Sequence, residues 1–234
     1  MKRIILLTIV LAPILAFSQF RIGARLGPSL ANFTGSEVKE WGEANVDPTA
    51  QIKFHLGLYL DYYLLDNLSI QPGIFYSAKG PKYEGQTEIY DFQTNEIMMA
   101  DITYKKKLGY IDIPVLVHFH INGSISVFAG PQFSFLLSAK VKNDATQEVL
   151  DALGLEEDED VKDFYRGFDL ALPIGVAYEL ANGINLQLGY DIGLIDIAKG
   201  YDYDGGDGND KYYKVKNGVL KLSVGYVIKD NRDD

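Results

Sequence analysis

Cysteine is absent from all 234 residues, which excludes a disulfide framework and any thiolate metal site. Basic residues are in the minority, 22 Lys and Arg against 32 Asp and Glu, for a formal charge of −10. A chain this acidic lacks the basic stripes that neutralise phosphates, so nucleic acid is not an expected partner. No apolar run beyond the first nineteen residues has the length of a spanning helix, so any membrane contact has to be made without transmembrane helices. Nucleophile elbow, metal-ligand helix and Gly-rich phosphate loop are all missing, and no enzyme activity is expected.

What is present begins with MKRIILLTIVLAPILAFSQ. Lys2 and Arg3 precede an apolar run from Ile4 to about Leu15, and Ala16-Phe17-Ser18 follows. That is the layout of a secretory signal peptide, with cleavage expected after Ser18. The expected division is therefore a signal peptide over 1–18 and one mature domain over 19–234.

The mature chain is rich in tyrosine (16), phenylalanine (12) and glycine (23), a composition of strands and turns. Its dominant pattern has period two. In YIDIPVLVHFHINGSISVFAGPQFSFLLSAK, one file reads Ile111, Ile113, Val115, Val117, Phe119, Ile121 and resumes with Ile125, Val127, Ala129, Pro131, Phe133, Phe135, Leu137. The other reads Tyr110, Asp112, Pro114, Leu116, His118, His120, then Ser126, Phe128, Gly130, Gln132, Ser134, Leu136, Ser138. The same alternation recurs in FRIGARLGPSL, IKFHLGLYLDYYL, LSIQPGIFYSAKG, FDLALPIGVAYEL, INLQLGYDIGL and VLKLSVGYVI. Eight strands result. Short turns fall at Leu65-Asp66-Asn67, Asn122-Gly123 and Ala181-Asn182-Gly183, and longer loops at about 31–51, 81–105, 141–166 and 199–214. The third of these contains a short helix predicted to start from a capping box at Asp144 and to end at Gly154, followed by the acidic run EEDED, expected to be solvated.

A water-soluble barrel would clothe its outer file in Lys, Glu and Thr. Here the non-apolar file is Gly, Ser, Gln, Ala and Tyr with sparse charges of both signs. Arg21, Arg25, Lys53 and Lys221 are offset by Asp61, Asp112, Asp169, Glu179 and Asp191. Balanced charge among small residues fits a crowded interior where ions pair. The apolar file is uncharged, as a lipid-facing surface requires. The expected fold is all-β, an eight-stranded antiparallel transmembrane up-and-down β-barrel with short periplasmic turns and long extracellular loops, closed by pairing the Phe20 strand with the Leu222 strand. Tyr62, Phe119, Tyr178 and Tyr226 are expected to form one aromatic girdle, and Tyr76, Tyr110, Phe133, Phe168 and Tyr190 the other. Eight strands leave an interior that side chains fill, so a general pore is not expected.

RIGARLGPSLANF, IQPGIFYSAKG at 70–80, YIDIPVLVHFH at 110–120, GPQFSFLLSAK at 130–140 and GYDIGLIDI at 189–197 together resemble the PorT-like outer-membrane β-barrel family of Bacteroidetes. The resemblance spans nearly the whole mature chain and implies a cell outer membrane location. Some members are linked to secretion and gliding machinery, and no catalytic motif comes with the family. An acidic residue common in the family's third strand is replaced here by Gly73.

Two further constellations remain. GGDGNDKYY fits one copy of a calcium-binding nonapeptide, with Asp202, Asp204, Asp207, Asn209 and Asp210 as oxygen donors. The motif normally works in stacked tandem, so no cofactor is expected and Ca²⁺ at this loop is the alternative. His118 and His120 share an inward face with His55 distant from them, which favours hydrogen bonding over a metal site. The functional expectation is a structural or interaction barrel with a side-chain-filled lumen, acting through acidic extracellular loops on protein partners within outer-membrane lipid. The alternative is a PorT-like component of a secretion or gliding apparatus, with a barrel-embedded enzyme or narrow transporter behind both.

Overall fold

Alternation of apolar and small or polar residues makes each segment two-faced, and the chain hides the second face by curling the sheet until its edges meet. The computed structural model describes residues 20–41, 47–91, 96–199 and 213–231, so the expected signal peptide lies outside the described residues. The strands are β1 Phe20–Thr34, β2 Gln51–Leu65, β3 Leu68–Lys79, β4 Lys82–Asp91, β5 Glu96–His120 and β6 Ile125–Ala129. They continue with β7 Gln132–Asp144, β8 Asp158–Asp160, β9 Phe168–Glu179, β10 Ile184–Gly193 and β11 Lys216–Asp230.

Eight staves form the ring: β1, β2, β3, β5, β6 with β7, β9, β10 and β11, each antiparallel to its neighbours. The ring closes where β1 pairs with β11, from Arg21↔Asp230 through Leu26↔Val224 to Thr34↔Lys216. The fifth stave is broken at Gly130-Pro131. Pro131 has no N–H to give to a ladder, and its carbonyl accepts from the Val115 amide at 2.9 Å.

The outward file is apolar and bare. Leu26 is 63% exposed and Phe54 52%, with Ile74, Val117, Phe135, Leu188 and Val224 similarly uncovered. Nothing among the described residues covers this belt, and water is a poor solvent for it. Phe119, Tyr178 and Tyr226 face outward near the short-turn rim, as expected.

Four expectations need correction. Residues 81–105 are no loop: β4 carries β3 onward past Gly80 and Pro81 and pairs with β5 from Lys82↔Lys105 to Asp91↔Glu96. Gly80 sits at φ 103°, a region open to glycine and strained for other residues. This arm stands beyond the apolar belt, so it carries no continuous apolar file by which to recognise it. Second, the β5–β7 register slips between Gly109 and Tyr110, leaving Leu137 as a bulge. Past that bulge Ala139, Val141 and Asn143 turn inward and Ser138 outward. Third, Tyr110 belongs to no girdle, since it is wholly buried inside the barrel. Fourth, the helix Gln147–Leu153 is N-capped at Thr146, without a side-chain cap, instead of Asp144. It ends at Gly154 as expected.

The acidic run also has structure. Asp158–Asp160 pairs as β8 against Lys140–Lys142 of β7. Lys107–Asp158 (3.1 Å) and Lys142–Glu157 (2.9 Å) place acidic and basic side chains face to face. Lys105 and Lys107, by hydrogen bonding, hold the exposed carboxyls of Asp144 and Asp158 below the usual carboxylate range. That stabilisation is complete above the ordinary carboxylate pKa and fades as pH falls through the lowered values.

Val224 lies at mid-stave, opposite both Leu26 and Leu186. Val224→Arg should lower stability in lipid by roughly 2–4 kcal/mol. The check is the urea midpoint of the folded band on unboiled gels, against a Val224→Leu control that stays close to wild type.

Candidate functional site in the barrel lumen

Every second residue of each stave points into a narrow interior, and those positions build four successive levels. At the long-loop rim an apolar cap fills the mouth. Phe33, Tyr110, Leu136, Val141, Tyr165, Ile197 and Val215 are buried together, and the bridge Tyr165↔Ala198 ties the connecting segments across it.

Beneath the cap lies a charged level. Lys79 of β3 is 1% exposed, and Asp112 of β5 and Asp169 of β9 are fully buried. The Lys79 ammonium stands 3.0 Å from Asp112 and 3.8 Å from Asp169. It donates to Ser134 Oγ at 3.2 Å and lies over the Tyr110 ring at 4.5 Å. Lys221 of β11 reaches Asp191 at 2.6 Å and Asp112 at 3.5 Å. Asn217 donates to Asp169 (2.9 Å) and Gln132 to Asp191 (3.2 Å). Six staves thus meet through one network, which gives each buried charge a partner.

The third level is apolar. Phe75, Leu116 and Phe128 cross the lumen beside Pro114 and Pro173 around a cavity of about 50 Å³. Phe128 has room because Gly175 and Gly189 lie under it. A Cβ at those positions would fall 2.5 and 3.0 Å from the ring's Cζ.

The fourth level, toward the short turns, is built on arginine. Arg21 donates to Glu179 (3.0 Å) and Tyr63 (3.1 Å), and its Nε is 3.2 Å from Asp230. Arg25 donates to Gln71 at 2.9 Å and lies 4.4 Å from the Tyr59 ring centroid. Asn185 donates to Tyr59 at 2.7 Å. Asp61 is buried among Arg21, Ser69 and His120. A cavity of about 80 Å³ separates these groups, room for a few waters.

Eight of the nine charges read from the sequence fall in two clusters; the ninth, Lys53, joins neither and donates instead to the Lys106 carbonyl at 3.0 Å near the long-loop end of β2. Asp112, Asp169, Asp191 and Lys221 join the upper one, and Arg21, Arg25, Asp61 and Glu179 the lower. Lys79, the centre of the upper cluster, was not among them. Its signal was present: it follows Ser77 by two residues on the same inward file. A lysine just before Gly80-Pro81 looks alike in sequence whether it ends a strand in solvent or points into a lumen.

His55 bonds Ser223 (2.8 Å), His118 bonds Ser126 (3.3 Å) and His120 bonds Ser69 (3.0 Å). Among the described residues, no three His, Asp or Glu side chains are placed to share an ion. The candidate calcium donors Asp202, Asp204, Asp207, Asn209 and Asp210 lie outside the described residues.

The family model for the outer membrane protein beta-barrel domain matches residues 13–199. Among solved structures the chain is similar to Neisserial surface protein A, at 14% identity over 89% of this chain and 97% of that one, TM-score 0.46. It is similar to Ail of Yersinia pestis at 12% identity, covering 90% and 99%, TM-score 0.46. It is similar to outer membrane protein W of E. coli at 14% identity, covering 90% and 98%, TM-score 0.41. No curated protein matches.

Replacing Lys79 by Met should strand Asp112 and Asp169 as unbalanced buried carboxylates. The expected loss is about 3–5 kcal/mol in the urea midpoint of the folded band. Adding Asp112→Asn to Lys79→Met should recover part of it. No recovery would mean that the methionine's shape, and not the lost charge, causes the damage.

Proposed function

Because the chain belongs to the outer-membrane β-barrel family, we propose that it is a sealed barrel acting as a structural and interaction protein at the cell surface. The observation that carries this reading is the filled lumen. An apolar cap, a Lys79-centred ion network, an aromatic level and an arginine level follow one another along the barrel axis. Among the described residues, two lumen cavities of about 50 and 80 Å³ have room for a few waters and form no solute path. Contact with partners then falls to what rises beyond the lipid. That is the β4–β5 arm with its exposed Ile97 and Met99, and the acidic margin around β8. The reading is non-enzymatic: among the described residues the lumen charges pair with one another, and the cavities beside them are sized for a few waters.

The alternative is a PorT-like part of a secretion or gliding apparatus. It rests on the sequence motifs, and it uses the same sealed barrel and protruding arm. Deleting the gene separates the two: loss of secreted cargo or motility favours the apparatus, and an unchanged secretome favours the surface role.

In planar bilayers the folded protein should give no steady channel current of the kind water-filled porins carry. Sustained single-channel steps from protein verified as folded on a gel would sink the sealed-barrel reading.

A further inference from the structure

The barrel wall is notched on its outer surface at the long-loop end of β2. The β2–β3 ladder runs as far as His55↔Ser77. It resumes only at the bridge Thr49↔Lys82, where two hydrogen bonds of 2.8 and 3.0 Å close the arm. Between these points a lateral groove of about 570 Å³ opens. Its floor is small, made of Ala78, Gly109 and Ser138. One wall is apolar: Ile52, with Phe54 and Tyr76, whose rings stand 5.7 Å apart. Its rim is cationic, with Lys53, Lys107 and Lys140.

Height along the barrel matters here. On β7 the outward file runs Phe133, Phe135, Leu137 and then Lys140. On β5, Ile113 and Ile111 give way to Lys107. The groove therefore straddles the upper edge of the apolar belt, where lipid headgroups meet acyl chains. Lys107 and Lys140 are also directly opposite in the β5–β7 ladder, an arrangement of like charges that costs stability unless an anion lies between them. Lys140 has no carboxylate within ion-pair distance among the described residues, and the Lys107–Asp158 pair is solvent-exposed and correspondingly weak. Lys53 spends one N–H on the Lys106 carbonyl at 3.0 Å and has two more to give. In a protein of net charge −10, three lysines gather on this rim, with Asp158 bonded to Lys107 and Asp160 opposite Lys140 in the β7–β8 ladder as the acidic residues beside them.

We propose that this groove binds a phosphate-bearing lipid of the outer leaflet. Its headgroup phosphate accepts from Lys53, Lys107 and Lys140, and an acyl chain lies along Ile52, Phe54 and Tyr76. Charge complementarity sets the headgroup chemistry, and continuity with the belt sets the chain's course. The site is independent of the sealed lumen and stands whether or not the surface role does.

The test is native mass spectrometry of the full-length folded barrel released from detergent, with phosphatidic acid as probe. Diacylglycerol and inorganic phosphate serve as comparison ligands. Phosphatidic acid should remain bound, and neither comparison ligand should match it. Lys107→Gln with Lys140→Gln should weaken its binding by about tenfold or more. Phe54→Ala should weaken it through the acyl chain. Lys105→Gln breaks the neighbouring pair with Asp144 outside the groove and should leave binding unchanged. An unboiled gel confirms that each variant is folded. Equal binding of phosphatidic acid to wild type and the double variant would overturn the site, and so would inorganic phosphate binding as tightly as the lipid.

Discussion

In hydrocarbon an unpaired peptide group costs several kcal/mol, and no water is present to offset it. The β1–β11 ladder answers that constraint, and the rest of the structure depends on it. Once Arg21–Thr34 has zipped against Lys216–Asp230, the sheet has no edge within the apolar belt. Closure at eight staves then fixes the lumen's width, and the width dictates what can point inward. Large rings need glycine beneath them, as Phe128 needs Gly175 and Gly189. Charges need partners within reach, as Lys79 needs Asp112 and Asp169.

The two ion clusters answer to different surroundings. The upper cluster lies beneath an apolar cap, and its groups are almost wholly buried. The lower cluster borders the short-turn rim, and Glu179 and Asp230 keep about a third and a quarter of their side chains accessible. Breaking the upper network leaves a bare charge in a dry place. Breaking the lower one lets water in. The upper network is therefore the stronger lock on stave order, and the lower one the softer boundary with solvent. Above the belt the logic reverses. The β4–β5 arm and β8 are held by backbone ladders and exposed Lys–Asp or Lys–Glu pairs, each worth little singly.

Legibility in the sequence followed the lipid. Where both faces of a stave have fixed surroundings, alternation gave strand existence, facing and order, down to the inward positions of Arg25, Asp61 and Asp112. Outside the belt that contrast disappears. The arm at 82–105 has polar residues on both faces and read as a loop. Tyr110 read as an interfacial aromatic because a tyrosine at a strand end looks alike whether it meets headgroups or an ammonium ion. The Leu137 bulge left no mark in composition, since a one-residue insertion does not change which residues are apolar.

The sequence by itself determined an eight-strand closed barrel with a greasy outside and a polar, charge-balanced inside. Period-two patterning and the ban on open edges in lipid allow little else. Which charges pair, where the lumen is stopped and where the wall is notched were decided by the tertiary structure alone. Those features depend on stagger between staves, a geometric quantity set by every ladder at once. Lys79 meets Asp112 and Asp169 across the lumen because register brings them level, and no local stretch of chain encodes that level.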